Sequence, residues 1–132
     1  MKFIVNMESP TVTVNLPKTH PNGGEWTKIK LVKAIYNQKS ATTNRILMFN
    51  IDECENEGYF ETSGGAIIRY VFSYLITDNA DVDEYRLYNQ PYEHFKNTKT
   101  DKLSFKVYDV NGATSASDIT STYYVILEFD LQ

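Results

Sequence analysis

The chain has 132 residues, the length of a single domain, and hydrophobic residues make up 42% of it. It carries 13 Lys and Arg against 17 Asp and Glu, and the net charge of −4 argues against nucleic-acid binding, which usually needs a basic surface. A single cysteine excludes an intramolecular disulfide. Neither a secretory signal nor the roughly 18 apolar residues of a membrane span is found, which predicts a soluble protein made and folded in the cytosol.

Strand patterns follow one another along the chain, whereas helix patterns are scarce. Thr11–Leu16 alternates strictly between polar and apolar residues, as expected of a strand with one buried face. Lys28–Leu31 begins the same alternation, but two adjacent apolar residues break it at Val32, which suggests a β-bulge or a strand buried on both faces. Further strands are predicted at Arg45–Ile51, Ala66–Ile76, Lys102–Tyr108 and Thr122–Leu131, with weaker candidates at Met1–Met7 and Tyr85–Tyr88.

The strand spacing predicts the fold class. Alternation in the last two strong strands predicts inward side chains at Leu103, Phe105, Val107, Tyr123, Val125, Leu127, Phe129 and Leu131. Glycine-containing turns separate the strands at Pro21–Gly24, Ser63–Gly65 and Asn111–Gly112. We therefore predict an all-β fold, a single-domain antiparallel β-sandwich of about eight strands over residues 1–132, jelly-roll-like by its strand count. An immunoglobulin-like sandwich is the alternative, although its Cys–Trp–Cys spacing is absent.

The sequence contains no motif typical of catalysis. The phosphate-binding patterns G-x-G-x-x-G and G-x-x-x-x-G-K-[ST] and the nucleophile pattern G-x-S-x-G do not occur. Cys54 lies in the acidic segment Asp52–Glu57, where neighbouring carboxylates raise the pKa of a thiol and make it a poor nucleophile. We therefore expect no enzymatic activity, no catalytic residue and no cofactor.

Two acidic segments, Asp52–Glu57 and Asp78–Glu84, could bind Ca²⁺, because loops between strands can supply the about six to eight oxygen ligands that this ion prefers. Neither segment follows the D-x-[DN]-x-[DN]-G spacing of a calcium loop. Charged residues in β-connections also commonly keep sheet edges soluble. We expect solvated loops and no metal site, with calcium binding as the alternative.

Five residues are predicted to contact a partner: Trp26, Lys28, Lys30, Tyr92 and Phe95. Together with Lys33, the two lysines form a basic strip beside the tryptophan that could meet an acidic partner, although lysines on an edge strand also prevent unwanted pairing. The other two aromatic residues lie in a long polar connection, where exposed rings suit a subunit contact. The alternatives are a tryptophan that anchors the core or its rim, and aromatic residues that cap an open end of the sandwich.

The C-terminal third combines an aromatic–proline region, an alternating strand with its turn, and a hydrophobic strand. The first is Tyr88–Pro91, and the second is Leu103–Gly112, which ends in an Asp-x-x-Gly turn. A polar stretch then leads into the hydrophobic strand Tyr123–Leu131. This arrangement resembles the small β-sandwich minor capsid and virion proteins of polinton-like viruses and virophages. The resemblance implies a minor capsid or virion-surface protein built on a jelly roll.

The leading hypothesis is a structural assembly protein, a viral capsid or capsid-associated (minor capsid) subunit that acts through protein–protein contacts. Ten Tyr residues and the lack of catalytic motifs favour it. We expect other capsid or assembly subunits as partners, a homo-oligomer, and neither membrane nor nucleic acid. The expected location is the virion, after synthesis in the host cytoplasm without a signal peptide. The alternative is a lectin-like β-sandwich that binds a glycan or receptor, in which Trp26, Tyr92 or Tyr59 stacks on a sugar with possible help from calcium.

Overall fold

The computed structural model describes residues 1–17, 25–37, 45–61, 64–76, 82–86, 91–97, 99–109, 114–115, 119 and 124–132. Regular structure in these ranges is β-strand, and none of their residues belongs to a helix long and apolar enough to cross a membrane. The strands within these ranges are β1 (Lys2–Met7), β2 (Thr11–Asn15), β3 (Lys28–Asn37), β4 (Arg45–Ile51), β5 (Gly58–Glu61), β6 (Ile67–Tyr70), β7 (Phe72–Ile76), β8 (Val82–Arg86), β9 (Glu93–His94), β10 (Lys102–Asp109), β11 (Thr114–Ser115) and β12 (Tyr124–Leu131).

Antiparallel pairing joins these strands into two main sheets. The first sheet has the order β1-β12-β3-β8, and the short strand β9 also pairs with β3. The second sheet has the order β11-β10-β4-β7, and β2 also pairs with β10. The strands β5 and β6 form a separate two-stranded sheet.

Eight strands remain when the short strands β5, β6, β9 and β11 are set aside. Counted in chain order, these eight form one antiparallel ribbon that is folded across the two sheets. The first pairs with the last, β1 with β12, and the second with the second-last, β2 with β10. The third and the sixth, β3 and β8, are paired, and so are the two central ones, β4 and β7. This pairing scheme is that of an eight-stranded jelly roll. The predicted all-β, jelly-roll-like antiparallel sandwich is confirmed, and three short strands, β5, β9 and β11, are added to the predicted set.

Side chains from the inner faces of both sheets form the core. β12 alternates half-buried and buried positions along its whole length, as expected of a strand with one face on the core. The ring of Phe72 stacks on Phe49 at a centroid separation of 5.0 Å, and Phe129 lies 5.6 Å from Phe72 and 5.6 Å from Phe105. The inward positions predicted in β10 and within β12 are buried: Leu103, Phe105, Val107, Val125, Leu127, Phe129 and Leu131.

The break in alternation at Val32 is a β-bulge. In the pairing of β3 with β12, Leu31 lies opposite Phe129 and Lys33 lies opposite Glu128, so Val32 is an extra residue in β3. Leu31 and Ala34 are both buried, which means that the inward positions change from odd to even numbers at the bulge. Without this shift Lys33 would face the core, because successive residues of a strand alternate between its faces.

The predicted strand Ala66–Ile76 is two strands in the structure, and this part of the prediction is wrong. β6 pairs with β5, whereas β7 pairs with β4 in the second main sheet, and Val71 lies between them. Val71 N–H donates to the carbonyl of Phe49 at 2.8 Å, and Nδ2 of Asn50 donates to the carbonyl of Arg69 at 3.0 Å. These bonds hold the β5–β6 hairpin beside β4.

Some predicted features lie wholly or partly outside the described residues. These are the turns Pro21–Gly24 and Asn111–Gly112, Tyr123, and the second half of Tyr85–Tyr88, whose first half belongs to β8. The turn Ser63–Gly65 is described at its two glycines. Gly65 has a φ of 84°, a left-handed conformation that glycine adopts without steric cost.

Candidate functional site

Trp26 and Phe95, two of the five predicted contact residues, lie in the core. Trp26 is 5% exposed and its indole Nε1–H donates to the carbonyl of Pro17 at 2.8 Å. Phe95 is 7% exposed and its N–H donates to the carbonyl of Thr27 at 3.0 Å. Burial of both rings agrees with the alternatives of a core anchor for Trp26 and an end cap for Phe95, and contact of either residue with a partner stays a prediction. Trp26 is held by Pro17, which follows β2, and Phe95 by Thr27, which precedes β3, contacts that the local sequence does not reveal.

The other three predicted contact residues come together. Tyr92 immediately precedes β9, and β9 pairs with the start of β3. Lys28 and Lys30 are two residues apart on β3 and therefore share its outer face. Their Nζ atoms lie 4.6 and 4.7 Å from the centroid of the Tyr92 ring, within the range of a cation–π interaction.

Asp130 completes this group, which we call the Tyr92 cluster (Lys28, Lys30, Tyr92 and Asp130). It lies opposite Lys30 in the pairing of β12 with β3, and its carboxylate accepts a hydrogen bond from the Tyr92 hydroxyl. That hydrogen bond lowers the pKa of Asp130, whereas burial acts in the opposite direction. The amino group of Met1, 3.1 Å away, and the charge of Lys30 lower the pKa further by smaller amounts. The same hydrogen bond raises the pKa of Tyr92, because the carboxylate stabilises the protonated hydroxyl.

The cluster joins the connection before β9 to the outer face of the first sheet. The two ammonium groups lie on the ring and the carboxylate is hydrogen-bonded, so the arrangement provides cations and an aromatic surface rather than an acid–base pair. Strand alternation at Lys28 and Lys30 was visible in the sequence. Asp130 was missed, because its position depends on the pairing of two strands that are distant in sequence.

Cys54 is fully buried and is not suited to nucleophilic chemistry. Burial, followed by the negative charges of Glu93 and Glu53, raises the pKa of its thiol to about 12, while Lys96 acts in the opposite direction. The thiolate is the reactive form, and a thiol with this pKa is protonated at neutral pH. Sequence reasoning identified the effect of the carboxylates but not that of burial, which is larger.

The acidic segment Asp52–Glu57 is tied to its neighbours by hydrogen bonds. Glu53 Oε2 accepts from the N–H of Ser104 at 2.7 Å, and Asp52 lies 3.6 Å from the ammonium group of Lys106. The Asn56 side chain donates to the carbonyl of Ile51 at 2.8 Å. Among the residues that the structure describes, no three His, Cys, Asp or Glu side chains are grouped to hold a metal ion. The segment Asp78–Glu84 is described only as backbone from residue 82 onward.

Two apolar surfaces that the sequence did not reveal lie on the outside of the sandwich. The outer patch consists of Ile4, Ile35 and Ile126 on neighbouring strands of the first sheet, and it lines a shallow groove. Ile4 is 58% exposed. The available signal was the alternation within β1, where Phe3, Val5 and Met7 share one face and leave Ile4 on the other.

The second apolar surface, the hairpin patch, lies on the β5–β6 hairpin. Ile67 is 56% and Tyr59 is 50% exposed, and the guanidinium of Arg69 lies 5.1 Å from the centroid of the Tyr59 ring. These residues alternate with Phe60 and Ile68, whose side chains are less exposed. On the same face Glu61 lies opposite Ile67 and accepts a hydrogen bond from the Tyr59 hydroxyl at 3.3 Å, so the patch combines two exposed apolar or aromatic side chains with two charged ones.

Comparison with protein-family models, curated proteins and solved structures finds no match.

Proposed function

We propose that the chain is a structural assembly protein, a viral capsid or capsid-associated (minor capsid) subunit that acts through protein–protein contacts. The jelly-roll pairing of the strands supports this proposal, since jelly rolls are common among capsid subunits. The resemblance of Leu103–Gly112 and Tyr123–Leu131 to virophage-type virion proteins points in the same direction.

The observation that carries the proposal is the exposure of branched aliphatic side chains on strands. Ile4 in the outer patch and Ile67 in the hairpin patch are each more than half exposed. Both lie at regular strand positions, where a polar residue would fit the alternation equally well. In the outer patch Ile4 adjoins the half-buried Ile35 and Ile126, and apolar surface of this kind is typical of protein contacts, in which a partner removes it from water.

The lectin-like alternative has less support. Of its proposed sugar-stacking residues, Trp26 is buried and the Tyr92 ring already contacts two lysines. Tyr59 is the exposed one, and it belongs to the hairpin patch. We therefore favour assembly through apolar strand faces over glycan binding.

Sedimentation velocity of the purified chain and three variants tests the proposal. We expect the wild type to sediment as an oligomer, and Ile4→Asp or Ile67→Asp to shift it toward smaller species, because a carboxylate buried in a contact loses its hydration. Ser73→Asp is the matched control, since it places the same charge on an exposed position of β7 away from both patches. A wild type that is monomeric at every concentration overturns the proposal, and so does an oligomer that neither isoleucine substitution weakens.

A further inference from the structure

Strand β2 forms an unprotected edge of the second main sheet. It pairs with β10 along one side, and the side chains of Thr11, Thr13 and Asn15 on its outer face are exposed. Natural edge strands usually carry lysine, proline or another charged residue that prevents pairing with a further strand. β1, an edge of the first sheet, has Lys2, which forms an ion pair with Glu128 at 3.3 Å. β2 has no charged residue and no proline.

The hydrogen bonds at both ends of β2 show which backbone groups face away from the sheet. Leu16 N–H donates to the carbonyl of Asp101, and Val107 N–H donates to the carbonyl of Pro10, each at 2.9 Å. In an antiparallel pair the backbone groups of alternate residues point to the same neighbour, so the even-numbered residues of β2 face β10.

The N–H and C=O groups of Thr11, Thr13 and Asn15 therefore point outward. Of these groups, the Thr11 N–H has Ser9 Oγ at 3.5 Å, the outer limit of a hydrogen bond. All three residues are exposed, and no hydrogen bond from another described residue reaches the outward groups of Thr13 and Asn15. The edge thus presents a regular row of donors and acceptors.

We propose that β2 binds the β2 strand of a second copy of this chain, antiparallel and about a twofold axis through Thr13. The inference rests on the proposed function, and it adds to the outer and hairpin patches a further contact surface, through which two copies of the chain pair. Thr13 of one copy lies opposite Thr13 of the other, and Thr11 lies opposite Asn15. The second sheets of the two copies then form one continuous sheet.

The register satisfies every outward backbone group of β2. Thr13 exchanges both of its bonds with Thr13 of the second copy, and Thr11 exchanges both with Asn15, as in a hydrogen-bonded antiparallel pair. On the outer face, the Thr–Thr and Thr–Asn side chains can hydrogen-bond across the strands. On the inner face, the half-buried Val12 lies opposite Val14 of the second copy and each covers the other.

Charge does not oppose this pairing. The charged residues of β10 opposite Thr11 and Asn15 are Lys106 and Lys102, and in the paired sheet Lys106 of one copy lies across from Lys102 of the other. Three strand spacings separate them, about 14 Å, which exceeds the Debye length of about 8 Å at physiological salt. Asp52 also lies 3.6 Å from Lys106 and compensates its charge.

Cysteine cross-linking tests the register directly. In a hydrogen-bonded antiparallel pair the two Cα atoms lie about 5.5 Å apart, within the range of about 4.4–6.8 Å that a disulfide spans. Mild oxidation of Thr13→Cys should therefore convert the protein into a covalent dimer on a non-reducing gel. The background is low, because the sequence has one native cysteine, Cys54, and it is buried.

Thr11→Cys is the matched control on the same exposed face. In the proposed register its two copies lie four residues apart along the strand, about 14 Å, too far for a disulfide. It should not cross-link alone, but a mixture of Thr11→Cys with Asn15→Cys should give the mixed dimer. Equal dimer yields from Thr13→Cys and Thr11→Cys, or no mixed dimer, overturn the proposed pairing.

The cross-linking result is separate from the test of the proposed function. An oligomer in sedimentation without the Thr13→Cys cross-link rejects the β2 pairing and leaves assembly through other surfaces. A Thr13→Cys dimer with a monomeric wild type supports the β2 pairing and rejects a stable assembly. As a second variant, Thr13→Pro removes an outward N–H and no bond to β10, so it should keep the fold and abolish the pairing.

Discussion

Deletion of Val32 is predicted to be tolerated, although it removes a residue from the middle of a central strand. Val32 has no partner on β12, where Leu31 and Lys33 lie opposite the consecutive residues Phe129 and Glu128. After the deletion Lys33 follows Leu31 directly, and the pairing becomes continuous. Every other residue of β3 keeps the face that it has now, because the bulge is what shifts the alternation.

The magnitude follows from the burial of the deleted side chain. Full burial of a valine contributes about 1.5–3 kcal/mol, and Val32 is half-buried, so its loss costs about 1 kcal/mol. The restored ladder offsets part of this cost. With an unfolding entropy of about 2.1 cal/mol/K per residue, a loss of 1 kcal/mol lowers the Tm by about 4 °C in a chain of 132 residues.

Deletion of Ala34 is the matched control, because it removes one residue two positions away in the same strand. Ala34 is fully buried, and its deletion moves Ile35 from the outer face into that position. Extra carbon atoms in a closely packed core cost about 1–3 kcal/mol, and the downstream pairing with β8 shifts as well. Thermal unfolding followed by circular dichroism compares the two. A deletion of Val32 that lowers the Tm as much as the deletion of Ala34 would refute the bulge argument.

Three substitutions give further predictions. Burial, followed by repulsion from Glu57, raises the pKa of Glu93, so the ionised side chain is unfavourable in the folded protein. Glu93→Gln should therefore raise the Tm at pH 8 but not below the ordinary glutamate pKa of about 4.3, and an equal gain at both pH values contradicts this. Asp130→Asn should lower the Tm at pH 7, since the hydrogen bond from Tyr92 stabilises the carboxylate form and lowers its pKa. Calorimetry over a pH series should show the Tm difference between variant and wild type disappear as the pH falls through that lowered pKa. Gly58→Ala places a Cβ 2.5 Å from the Tyr70 ring, so we expect the free energy of unfolding to fall by about 1–3 kcal/mol and hydrogen exchange in β5 and β6 to become faster. Unchanged exchange would show that the ring moves aside freely.

The fold class was predictable from the sequence because it depends on local alternation. β2, β10 and β12 were found where period-two patterns predict them, and β4 where strand-forming residues are dense. Even the bulge at Val32 left a signal in two adjacent apolar residues. The division of Ala66–Ile76 between two sheets was not predictable. Both halves are rich in strand-forming residues, and periodicity does not record which neighbour a strand pairs with.

The candidate site was predictable only in part, for the same physical reason. Alternation places Lys28 and Lys30 on one face, and the composition of the connection singles out Tyr92 and Phe95. Whether an aromatic ring in that connection is buried depends on contacts with distant strands: Phe95 packs in the core, whereas Tyr92 lies on the outer face beside Asp130. A local pattern does not distinguish these two outcomes.

The molar mass of the purified wild type, measured by multi-angle light scattering over a wide range of protein concentration, tests the central claim most directly. An assembly protein should give a multiple of the 15.2 kDa chain mass, in even steps if the β2 strands pair. A mass of one chain at every concentration would contradict the account, because the apolar strand faces of Ile4 and Ile67 would then face water without a partner.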